Sequence, residues 1–131
     1  MRSSAILVGF VFASLASAAV VSDNEAVDYQ VDDSHNCHGS GLCSSLNVND
    51  CNAAQRAIVP SNIYSTNGGR NSNGVCNGHC AIFVQGGSGC SYSGTDLNNA
   101  YSELRSAGCR KCGSVQFDNG CEITVNYVSS C

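Results

Sequence analysis

Cys109 and Cys112 enclose Arg110 and Lys111 in the run Gly108-Cys109-Arg110-Lys111-Cys112-Gly113. A Cys-x-x-Cys of this kind supports three chemistries: thiol–disulfide exchange, half of a tetrahedral zinc site, or a place in a structural disulfide framework. A second cluster, Cys76, His79 and Cys80, could complete a zinc set. Acid–base catalysis would draw on His35, His38, His79, Glu103 and Glu122.

The elements that must carry these residues decide among the chemistries. The stretch before Gly108 reads as a helix. Thr95 is a cap residue, Asp96 lies in the first turn, and Leu97, Ala100, Tyr101 and Leu104 recur at helical spacing. Arg105 falls in the last turn and Gly108 suits the left-handed exit. A reactive cysteine pair wants a helix N-terminus, where the dipole favours the thiolate. Cys109 follows a helix C-terminus, where the dipole has the opposite sign. No spacing makes two of the histidines and glutamates converge, so surface positions account for them. The expectation is a protein that is not an enzyme and holds no cofactor or metal.

The N-terminus sets the compartment. Arg2, an apolar run through residues 5–15 and the small-residue site Ala16-Ser17-Ala18 have the layout of a secretory signal peptide, assigned to residues 1–18. The run is short for a bilayer span, so no transmembrane segment is expected after cleavage. In an oxidising compartment the ten cysteines imply five disulfides rather than zinc. Cys37, Cys43, Cys51, Cys76, Cys80, Cys90, Cys109, Cys112, Cys121 and Cys131 allow ~945 pairings, and counting does not choose between them.

The formal net charge is −4. Five of the acids, Asp23, Glu25, Asp28, Asp32 and Asp33, precede the first cysteine, and from Cys37 onward five acids face five bases. Residues 19–35 therefore read as an acidic, flexible leader or pro-segment, and residues 36–131 as one neutral cysteine-rich domain. A neutral domain argues against nucleic-acid binding and against general attraction to anionic membranes. No Asn-x-Ser/Thr sequon occurs.

A second helix is expected over residues 50–59, with Asn49 as cap and Pro60 as stop. The run 80–85 is almost continuously apolar, as in a central strand covered on both faces. In 122–128, Ile123, Val125 and Tyr127 point one way and Thr124 and Asn126 the other. Weaker strands are expected at 62–65 and 114–117, with Asn/Gly/Ser turns at 67–74 and 86–89. The order of elements predicts an α+β fold, a small disulfide-rich α/β sandwich with helices on one face of a mainly antiparallel sheet.

Three motifs in order resemble the KP-four-type fungal killer toxins. Asn36-Cys37-His38-Gly39-Ser40-Gly41-Leu42-Cys43 resembles their N-C-x-G-S-x-x-C opening. Ala107–Ser114 is similar to their G-C-R-x-C-G-S segment, and Ile123–Cys131 to their C-terminal T-V-N-Y-V-x-S-C strand. The resemblance spans residues 36–131. It implies about five strands, two helices on one face, a monomer, and the pairs Cys37–Cys109, Cys43–Cys112 and Cys76–Cys131. It also implies a secreted killer protein that inhibits competing fungi or acts on host cells through a target-cell membrane protein, with calcium-channel block as the mechanism. The toxin family's important lysine falls at Gly74 here, and Arg70 is the nearest base. Arg70, Arg110 and Lys111 are therefore the candidate target-contacting residues, against the plainer reading of solvated surface charge. The alternatives are a non-toxic virulence effector or wall-binding module and, behind both, a small secreted hydrolase.

Overall fold

In a computed structural model, residues 34–68 and 72–131 are described. The expected signal peptide and nearly all of the leader fall outside them. The elements in chain order are β1 (Ser34–Asn36), α1 (Val48–Arg56), β2 (Ile63–Ser65), β3 (Gly74–Asn77), β4 (Cys80–Gly86), β5 (Ser91–Ser93), α2 (Gly94–Ser106), β6 (Gly113–Gln116) and β7 (Cys121–Tyr127). Short 3-10 turns occupy Cys43–Ser45 and Thr66–Gly68. Five strands form one sheet in the order β1-β6-β7-β4-β3, and β2 pairs with β5 in a second, two-stranded sheet. Every pairing is antiparallel. Two helices, these sheets and five disulfides make a small disulfide-rich α+β fold.

Each helix begins where a side chain satisfies the free backbone N–H groups of its first turn. Asn47 caps α1 by accepting from Asn49 N, so α1 starts ahead of the expected Asn49 cap. It also ends before Pro60, because Ala57 and Ile58 close tight turns onto Ala54 and Gln55. In α2 the cap is Ser93 rather than Thr95. Ser93 Oγ accepts from Asp96 N at 3.2 Å while the Asp96 carboxylate accepts from Ser93 N at 2.8 Å, a reciprocal capping box. Gly108 leaves the helix at φ +91°, as a left-handed exit requires.

Directly paired residues share a face of a sheet. Ile82 faces Val125, and Val84 faces Ile123, which in turn faces Val115. This face meets both helices: Cys51 and Ala54 of α1 and Leu97, Ala100, Tyr101 and Leu104 of α2 join it in one core cluster. Ile82, Leu97, Leu104 and Ile123 are fully buried. Each such side chain contributes roughly 1.5–3 kcal/mol relative to exposure. Tyr101 Oη donates to Asn52 Oδ1 at 2.7 Å and Gln55 Nε2 donates to Asn98 Oδ1 at 3.3 Å, so the helices run past each other in opposite senses.

Ser34 and His35 pair as a strand against Gln116 and Val115, so the sheet begins inside the span expected as leader. The central strand is β7 rather than β4, although both are internal. Cys51–Cys80 ties α1 to β4, and Cys90–Cys121 ties the start of β5 to the start of β7.

Candidate functional site

The Cys-x-x-Cys forms no bond within itself. Cys109 bonds Cys37 and Cys112 bonds Cys43, which fastens the segment after β1 to the end of α2. Cys76 bonds Cys131, and no cysteine is free. Arg105 holds this junction in shape. Its Nη1 donates to the carbonyl oxygens of Cys109 at 2.6 Å and Lys111 at 2.9 Å, and its guanidinium lies 4.5 Å from the Tyr101 ring centroid. Lys111 Nζ donates to the carbonyl oxygen of Ser44, so this lysine braces the tether. Arg110 is exposed and makes no hydrogen bond or ion pair among the described residues. Arg70 lies outside the described residues. The three candidate bases thus form no common patch that the structure describes.

One His/Glu pair does converge, against expectation. Pairing of β1 with β6 sets His35 opposite Val115, on the helix side of the sheet, and His35 Nδ1 lies 3.7 Å from Glu103 Oε1 of α2. Glu122 is far from this pair in topology, because it alternates with Ile123 and faces away from the helices. His79 stacks on Tyr127 with ring centroids 5.2 Å apart, and its backbone N donates to Asp50 Oδ2 at 3.1 Å. His38 is exposed beside Cys37.

The sheet face away from the helices carries an ordered polar array. Ser34, Gln116, Glu122 and Gln85 stand directly beside one another across β1, β6, β7 and β4. Ser34 Oγ donates to Gln116 Oε1 at 3.2 Å, and Gln85 Nε2 donates to Glu122 Oε1 at 2.5 Å. Ser34 and Gln116 are exposed; Glu122 and Gln85 are half-buried. The next row runs Asn36, Ser114, Thr124, Phe83 and Gly74 across all five strands. In it Ser114 and Thr124 are buried and their hydroxyls satisfy each other at 2.7 Å, so this row offers no free hydroxyl to a ligand. In the third row Asn126 stands beside Ala81, and its Oδ1 accepts from Ser40 N at 3.0 Å. The three rows contain one carboxylate and no cation.

At the β3 end of this face lies a groove of about 570 Å³ between β3, β4 and the tail Val128–Cys131. Phe83, Ala81, Gly74, Ser129 and Ser130 line it. A Cβ on Gly74 would collide with the carbonyl oxygen of Ile82 and with Phe83. No lysine fits this position without moving β4.

The array escaped the sequence reading because its members come from five strands that the chain visits as three separate pieces, β1, β3–β4 and β6–β7. The only local signal was the polar half of the alternation in 122–128. Among the described residues no helix is long and apolar enough to cross a membrane.

Residues 35–131 match the model of MU117, a meiotically up-regulated gene family. The match corrects the killer-toxin resemblance, since the family found is not a toxin family. The glycine forced at the toxin lysine position agrees with the correction. No curated protein matches the chain.

Proposed function

The chain belongs to the meiotically up-regulated gene family, and on that premise we propose that it is a secreted, non-catalytic binding module whose polar sheet face engages a neutral, hydroxyl-rich cell-wall polymer. The row Ser34, Gln116, Glu122 and Gln85 carries this reading. Amides and a carboxylate offer both donors and acceptors, as sugar hydroxyls require. Neighbouring strands set row members roughly 4.8 Å apart, comparable with one sugar ring. The sheet is braced by disulfides at Cys80, Cys112 and Cys121, so little ordering is needed on binding.

Charge selects the polymer class. One carboxylate without a cation disfavours phosphate, uronate and nucleic acid, and a neutral chain of hexoses meets no such penalty. Calcium-channel block through the toxin family's lysine is not the reading adopted, because glycine is forced at that position. Export rests on the signal-like residues 1–18. The family's description speaks of up-regulation in meiosis, and we extend that timing to this chain.

The test is co-sedimentation of the secreted protein with insoluble β-glucan and chitin, beside a fungal growth assay with and without excess Ca²⁺. Retention on one polymer without slowed growth is expected. Growth inhibition relieved by Ca²⁺, without retention, would overturn the reading.

A further inference from the structure

We propose that Cys76–Cys131 is a thiol-exchange site, opened by a low-molecular-weight thiol, that releases the C-terminal tail from the groove beside Phe83. This is independent of the polysaccharide reading and rests on accessibility and on what holds the tail. In each of the other four disulfides at least one cysteine is deeply buried. Cys51 and Cys80 are at 0 %, Cys109 at 1 %, Cys90 at 2 % and Cys112 at 3 % exposure. Only in Cys76–Cys131 are both residues exposed. An attacking thiolate must approach the sulfur it attacks, so burial protects a disulfide and exposure does not.

The tail has little else to keep it in place. At Val128 the ladder ends with two contacts to His79: Val128 N donates to the His79 carbonyl oxygen at 2.9 Å, and the Val128 carbonyl oxygen lies 3.1 Å from His79 Nδ1, so the loosely held part of the tail is Ser129 to Cys131. Ser129 and Ser130 are exposed and make no hydrogen bond among the described residues. Among the described residues, Cys131 has beyond the disulfide only a long Sγ contact of 4.0 Å to the carbonyl oxygen of Cys80. Yet Val128 to Cys131 form one wall of the groove. The single covalent link from Cys131 to β3 therefore decides whether that wall stands.

The chemistry balances with two equivalents of thiol. A thiolate attacks Cys131 Sγ, forms a mixed disulfide there and expels the Cys76 thiolate, which takes up a proton. A second thiol attacks the external sulfur of the mixed disulfide and releases the Cys131 thiol and the oxidised reagent. The protein disulfide gains two electrons, and two thiols are joined into one disulfide. The last three residues, beyond the Val128–His79 contacts, are then free of β3, and the rest of the fold keeps its four internal bridges.

The experiment treats the secreted, fully oxidised protein with reduced glutathione, quenches with an alkylating agent at intervals and maps the modified cysteines by peptide mass. At the first time points label is expected on Cys76 and Cys131 and on no other cysteine, with the amide NMR spectrum changed only around the tail and β3. Initial label on any other pair, all ten cysteines labelled in one step, or no label at all would overturn the proposal. A Cys76→Ser/Cys131→Ser variant gives a second reading. It is expected to fold and to keep its other four disulfides as resistant to glutathione as before. Misfolding, or faster reduction of those four, would make this bridge a structural brace and sink the exchange site.

Discussion

Gly74 stands directly across the β3–β4 ladder from Phe83, in a place with no room for a Cβ. Overpacking of this kind typically costs about 1–3 kcal/mol. Gly74→Ala is expected to lower stability by about that amount. Gly74→Lys should lose more and gain no growth-inhibiting activity. Thermal unfolding and a growth assay check both, and a Gly74→Lys protein of unchanged stability would show that β3 has space the structure denies.

Arg105 is the cation that matters to the fold. Its Nη1 bridges the carbonyl oxygens of Cys109 and Lys111 in the segment that follows α2, and its guanidinium lies over the Tyr101 ring. Hydrogen bonds from a charged group contribute about 1.5–3 kcal/mol, so Arg105→Ala should destabilise on that order. Arg110→Ala, at an exposed position without partners among the described residues, should stay within about 0.5 kcal/mol of the parent. Denaturant unfolding of the two variants compares them directly, and equal effects would refute the assigned roles.

The reciprocal cap at Ser93 and Asp96 gives a third expectation. Ser93→Ala removes the side-chain acceptor for Asp96 N and should cost about 0.5–2 kcal/mol. Thr95→Ala should cost less, because Thr95 Oγ1 reaches only the Pro60 carbonyl oxygen, at 3.5 Å. Thermal melts of both variants distinguish a helix starting at Ser93 from one starting at Thr95.

Much of the fold was legible where the pattern is local and long. The α2 stripe and the alternation in β7 each repeat over two or more turns or pleats, so pattern alone places them, and Gly108 marks where the first one stops. The start of α2 was misplaced because Ser93 and Thr95 are both good caps, and only the partner three residues on, Asp96, separates them. The strands Ser34–Asn36, Gly74–Asn77 and Ser91–Ser93 are only three or four residues long, each with at most one strong strand former (Val75, Tyr92), and partners brought from elsewhere in the chain define them. The same holds for Cys51–Cys80 and Cys90–Cys121, whose pairing follows from helix and strand placement rather than spacing. The candidate site was the least legible part. Ser34, Gln85, Gln116 and Glu122 are ordinary surface residues until the register sets them side by side.

That row carries the functional account, and an amide NMR titration of the secreted protein with soluble β-glucan and chitin oligosaccharides tests it most directly. The prediction is saturable shifts clustered at Gln85, Gln116 and Glu122, abolished in a Gln85→Ala/Gln116→Ala variant that keeps its fold. Saturable shifts confined to the helix face, or none with either sugar, would contradict it.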